Sequence, residues 1–139
     1  MLLAVRTARN RLDFLTDNDW SLFADRAKQV SFKTGEKLIE ERKMNHTILL
    51  LIRGKAKVEN KAQTKIAEIT QGEIAGEMSF LERIPASASV IAETDVEALA
   101  IGWKELEDLF ELFPHLASRF YRSLAVNLSR RLRGQISPK

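Results

Sequence analysis

The sequence predicts an α+β fold, an antiparallel roll or barrel of short strands with helices at both ends. Three observations carry this. Between Gln29 and Gly102 apolar residues recur with a period near two, broken by turns rich in glycine, asparagine and lysine. On either side the period lengthens to three and four residues, as on one face of a helix. One uninterrupted apolar run, Ile48-Leu49-Leu50-Leu51-Ile52, has the length of a strand buried on both faces. Many short strands at such spacing close into a compact antiparallel roll or barrel.

Taken in order, residues 1 to about 29 read as helical. Leu2, Leu3 and Val5, then Leu12, Phe14 and Leu15, give an apolar face of imperfect period. Thr16 caps a helix start followed by Asp17 and Asp19. Trp20, Phe23, Ala24 and Ala27 recur at helical steps and predict one buried face. Val30 and Phe32 alternate in the first strand. Residues 33–36 turn, Leu38-Ile39 make a short strand, and residues 40–45 form a charged connection. After the Ile48 run, Arg53-Gly54-Lys55 turns the chain into an Ala56/Val58 strand, and Asn60-Lys61-Ala62 turns it again. Ile66 and Ile69 line the next strand, and Val90–Ala92 and Val96–Ile101 complete the set. Trp103 to Phe113 reads as a helix with Leu106, Leu109, Phe110 and Phe113 inward. Pro114 suits the first position of a last helix to about Arg133, with Leu116, Phe120, Leu124, Leu128 and Leu132 stepping by four, and Gly134 expected to end it. Arg130, Arg131 and Arg133 sit where cations favour the helix dipole and read as a solvated basic end.

The 139 residues fit one domain, 1–139, and 45% apolar composition supplies one core. No apolar run is long enough to span a membrane, which predicts no membrane span. The absence of cysteine excludes disulfides and thiol chemistry and suits a cytoplasmic protein. His46 and His115 are far apart and make no zinc-ligand spacing, and no Gly-x-Ser-x-Gly elbow occurs. The chain is expected not to be an enzyme and to require no cofactor. A net charge of +3 alone is weak support for nucleic-acid binding.

The stretch Gly72 to Ala92 organises the rest. Gly72, Glu73, Ile74, Ala75, Gly76, Glu77, Met78, Ser79, Phe80 and Leu81 are followed by Pro85, Ala86, Ser87, Ala88, Ser89 and Val90. Glycines lead into one helical turn, whose free amides suit a phosphate and whose Glu77 carboxylate suits sugar hydroxyls. Small residues after Pro85 let backbone N–H groups approach a ligand. This stretch resembles the phosphate-binding cassette of cyclic-nucleotide-binding domains of the catabolite-activator type, with the pattern Gly-Glu-(Ile/Leu)-x-Gly-Glu-(Leu/Met)-(Ala/Ser)-(Leu/Phe)-Leu-x-x-x-Pro-Arg-(Ser/Ala)-Ala-(Thr/Ser)-Val. The resemblance runs from about Phe14 to Arg133, and Gly35, Gly54 and Gly72 fall at the family's turn glycines.

The resemblance implies a jelly-roll-like β-roll over residues 30–102, with N-terminal helices over 1–29 and two C-terminal helices over 103–133. It implies a site at Gly76, Glu77, Met78, Ala86, Ser87 and Ala88 for cyclic AMP or cyclic GMP, with Glu77 on the ribose 2′-hydroxyl. The family's arginine after the proline, which pairs with the cyclic phosphate, is here Ala86. Weak or non-standard binding is therefore expected, with Arg83 a candidate replacement charge. Glu77 could instead cap its own turn. The alternatives to a ligand sensor are a ligand-free dimerisation module and the sensor part of a larger transcription regulator. The last helix is expected to pair two copies of the chain. Specific DNA binding is not expected, because no reading helix follows it.

Overall fold

The structure, a computed structural model, describes residues 10–136. The helix expected over Leu2, Leu3 and Val5 lies outside them. The described chain runs α1 (Asp17–Arg26), β1 (Lys28–Phe32), β2 (Lys37–Ile39), β3 (Thr47–Arg53), β4 (Ala56–Glu59), β5 (Lys65–Ile69), β6 (Ile74–Ala75), α2 (Glu77–Glu82), β7 (Ser89–Ala92), β8 (Val96–Gly102), α3 (Trp103–Leu112) and α4 (Pro114–Ile136). The strands form two four-stranded sheets, ordered β1-β8-β3-β6 and β2-β7-β4-β5. The antiparallel pairings are nested: β4 with β5, β3 with β6, β2 with β7 and β1 with β8. The fold is the expected α+β roll.

β3 explains the layering. Side chains alternate across a strand, and here both faces are covered. Ile48 and Leu50 enter a core shared with Phe23, Phe80, Leu106, Leu109, Leu116 and Phe120 on the helical side. Leu49 and Leu51 enter a second core between the sheets, with Ile39, Ala56, Val90, Val96 and Ala98. The uninterrupted apolar run is therefore the strand between two cores.

Residues 10–16 depart from the helical reading: the helix begins only at Asp17. The segment's polar groups bind distant partners instead of building a helical ladder. Phe14 N–H donates to Ser123 Oγ (3.0 Å), and the Arg11 carbonyl accepts from Asn127 Nδ2 (2.7 Å). Leu12 is nonetheless fully buried. The cap at Thr16 is present: its side chain accepts from the Asp19 N–H while Asp19 accepts from the Thr16 N–H. Asp19 also takes two hydrogen bonds from Arg119 of α4, at 2.6 and 2.9 Å, which hold its carboxyl below the ordinary value.

Three smaller expectations are corrected. Ile66 is exposed while Ile69 is buried, because residues three apart on a strand point to opposite faces. Phe113 closes α3 at its C-cap and is exposed, not inward. α4 runs through Gly134 to Ile136, since Gly134 does not adopt the left-handed conformation that would end it. Along α4, a step of four drifts about 40° per step around a 3.6-residue helix. Leu116, Phe120 and Leu124 are thus buried, whereas Leu128 and Leu132 are 48% and 57% exposed.

Candidate ligand-binding site

The site is built on α2, six residues bracketed by left-handed residues, Gly76 (φ 92°) and Arg83 (φ 60°). A Cβ on Gly76 would sit 2.9 Å from the Thr47 carbonyl oxygen, so this turn against β3 requires glycine. The turn delivers Glu77 to the first helical position, where the residue is only 8% exposed. Its Oε2 accepts a hydrogen bond from Asn10 Nδ2 at 2.7 Å. Arg131 of α4 stands 3.9 Å from the same oxygen. Burial raises the Glu77 pKa; the Asn10 hydrogen bond and the Arg131 charge oppose the rise, and the Glu73 charge adds to it. Glu73 is buried alongside, accepting from the Asn10 N–H (2.7 Å) and from the N–H and hydroxyl of Thr70 (2.9 and 3.0 Å).

After α2 the chain crosses to the second sheet. The Ala86 N–H donates to the Lys43 carbonyl (3.2 Å), and the Ala86 carbonyl accepts from the Arg42 N–H (2.8 Å). The β2–β3 connection thus clamps the backbone at Ala86 and leads it into the Ser87-Ala88 bend before β7. Between α2, this bend and β5 opens a cleft of about 770 Å³. All six residues singled out in the sequence, Gly76, Glu77, Met78, Ala86, Ser87 and Ala88, line it. A second cavity, about 220 Å³, lies between α2 and α4 and shares Asn10, Glu77, Met78 and Arg131 with the cleft.

Arg83 is not at the cleft. Its guanidinium pairs with Glu107 of α3 and lies over the rings of Phe80 and Trp103, 4.9 and 5.0 Å from their centroids. Arg130, Arg131 and Arg133 are exposed, as the solvated reading expects, but Arg130 also pairs with Asp13 at 3.1 Å and Arg131 with Glu77 at 3.9 Å. Sequence reasoning missed Asn10, Glu73 and Arg131 as a group. Asn10 carries no motif, and its proximity to Glu77 exists only after residues 10–16 are tied down. The arginine cluster was visible, and the length of α4 was the signal that it returns over the cassette.

The cleft supplies a buried carboxylate for hydroxyl donors, small residues for close backbone approach, and room within the range of small-ligand pockets. The profile of the cyclic nucleotide-binding domain matches residues 29–112, more than half of the chain. The chain belongs to the cyclic-nucleotide-binding domain family. Among relatives of this cyclic-nucleotide-binding domain, cyclic GMP-binding protein C of Dictyostelium discoideum is 30% identical over 129 residues, 89% of this chain and 5% of that protein. A cAMP-dependent protein kinase regulatory subunit of Hypocrea atroviridis is 31% identical over 91 residues, 66% of this chain and 20% of the subunit. The domain therefore spans a small fraction of these relatives' length. Among solved structures, the catabolite activator protein of Thermus thermophilus superposes with a TM-score of 0.73 at 26% identity, covering 87% of this chain and 57% of that one. A cyclic nucleotide-binding domain from Methylobacillus flagellatus gives 0.78 at 20% identity over 94% and 80%, a likeness of fold.

Proposed function

We propose that this chain is a regulatory, non-catalytic domain whose cleft takes a cyclic nucleotide, cyclic AMP or cyclic GMP, with weak affinity. The observation that carries the reading is the buried Glu77 carboxylate facing the Ser87-Ala88 bend across one cleft. Glu77 accepts from the ribose 2′-hydroxyl. The amides around Gly76 and Met78 and those of Ser87 and Ala88 receive the cyclic phosphate. Ala86, where the family carries arginine, contributes no charge, which is the source of the weakness. The domain pairs with a second copy through α4, makes no sequence-specific DNA contact by itself and works in the cytoplasm. Calorimetric titration with cyclic AMP, cyclic GMP and cyclic dinucleotides tests this. Heat saturating with a cyclic mononucleotide supports it; no binding at millimolar concentration refutes it.

One observation favours a second reading, a ligand-free interaction module. Glu77 Oε2 already has Asn10 and Arg131 as partners. Under this reading none of the nucleotides binds, and the domain still self-associates.

A further inference from the structure

We infer that Arg131 of α4 is a ligand-binding residue: it gives up its pairing with Glu77 and holds the anionic group of the ligand. This rests on the cyclic-nucleotide reading of the cleft. The argument begins with charge. Among the described residues lining the cleft, Arg131 is the cation, and the carboxylates are Glu68, which pairs with Lys65 at 3.0 Å, Glu73 and Glu77. An anion entering beside Glu77 is repelled by that carboxylate unless the Arg131 guanidinium turns towards it.

The geometry suits a hand-over. At 3.9 Å, the Arg131–Glu77 pair is longer than the ~2.7–2.9 Å of a charge-assisted hydrogen bond. Glu77 keeps the firmer contact with Asn10 at 2.7 Å. The Arg131 side chain is 41% exposed and borders both the cleft and the smaller cavity beside it, so it has space in which to turn. A ligand hydroxyl donating to Glu77 takes the place of Arg131, whose planar fork then pairs with two anionic oxygens. α4 is thereby recruited to the ligand by charge, without any change in its apolar packing.

The test uses the whole chain with native Arg131, Arg131→Ala and Arg131→Lys. Each is titrated with cyclic AMP and cyclic GMP, and with adenosine and guanosine, which keep base and ribose but lack the anionic group. Nuclear magnetic resonance shift changes read binding into the millimolar range, and circular dichroism checks the fold. The expected result is a loss of at least about tenfold for the cyclic nucleotides in Arg131→Ala, with the nucleosides unchanged within about twofold. Arg131→Lys falls between, because it keeps the charge and loses the fork. Equal losses for nucleotides and nucleosides, no loss, or a gain in Arg131→Ala overturn the inference and leave the cyclic-nucleotide reading standing. Absence of cyclic-nucleotide binding by the native chain overturns both.

Discussion

Asn10 donates its side-chain amide to Glu77 Oε2 over 2.7 Å, although the two residues are far apart in the chain. The same amide nitrogen also reaches the Ile74 carbonyl at 2.7 Å, and the Ile74 N–H returns a bond to the Asn10 carbonyl at 2.9 Å. Through Asn10, the strap before α1 holds both the strand leading into the cassette and the carboxylate at its head. A neutral donor stabilises a buried carboxylate only in part, and the Glu77 pKa remains raised.

This shift has a sign that can be measured. With its folded-state pKa above the ordinary 4.5, Glu77 contributes most stability below pH 4.5, and the contribution is lost as pH rises through the raised pKa. Glu77→Gln has no such dependence, and its amide oxygen still accepts from Asn10. The melting temperature of Glu77→Gln minus that of the native chain is therefore expected to increase with pH above 4.5. Thermal melts across the acid-to-neutral range check this; a difference independent of pH contradicts it.

Replacing Ala86 with arginine tests the weak binding proposed for the cleft. Losing one partner of a buried charge pair costs about 2–5 kcal/mol, and each ~1.4 kcal/mol is tenfold in affinity. Ala86→Arg is expected to tighten cyclic-nucleotide binding by at least about tenfold. Adding Glu77→Ala should remove most of that gain. Titration of the three proteins decides; no gain in a folded Ala86→Arg protein favours the interaction module.

Self-association through α4 is tested at its exposed residues. Leu124 is 3% exposed, and placing glutamate there would disturb the core itself. Leu128 and Leu132 are exposed, with Tyr121 on the same helix at 42%. The native chain is expected to sediment as a dimer at micromolar concentration, and Leu128→Glu with Leu132→Glu as a monomer with an unchanged circular dichroism spectrum. A native monomer, or a dimer indifferent to these changes, rejects the interface.

Arg83→Ala should leave ligand affinity within about twofold, because exchange of a residue outside the cleft removes no contact to an occupant. Its effect should fall on stability, through the lost contact with Glu107 and with the Phe80 and Trp103 rings. The thermal midpoint and the cyclic-nucleotide titration, run on one preparation, separate the two. A large loss of affinity in a protein of native stability shows the expectation wrong.

The strands were legible in sequence because their burial repeats with the chain. The run from Ile48 to Ile52 declares a strand between two cores, and Gly76 declares a turn that a Cβ would block. The cassette residues were legible for the same reason, as six positions local to one loop and one turn. Asn10 and Arg131 were not, since their contacts depend on how the two ends of the chain meet. No period marks that meeting. Leu12 and Leu15 looked helical because burial alone sets their apolar character, while the backbone bonds that deny a helix come from Ser123 and Asn127. The four-residue leucine step in α4 was visible, but which leucines it buries depends on its drift around the helix.

The nested pairing of the strands bears on how the molecule comes into being. The β4–β5 hairpin closes over the short Asn60–Thr64 turn and is the most local of the pairs. Each pair outside it joins segments farther apart, ending with Lys28 opposite Ala100. Closing larger loops takes progressively more chain entropy, so assembly is favoured from the hairpin outward, at the millisecond-to-second pace typical of nonlocal sheets. During synthesis, β3 leaves the ribosome before its neighbour β8 exists. Until β8 arrives, Leu49 and Leu51 lack the Val96 and Ala98 side of their core. The nascent domain thus carries an unshielded hydrophobic strand for as long as translation takes to reach Gly102, and slowing translation within that interval lengthens its exposure to chaperones and to aggregation.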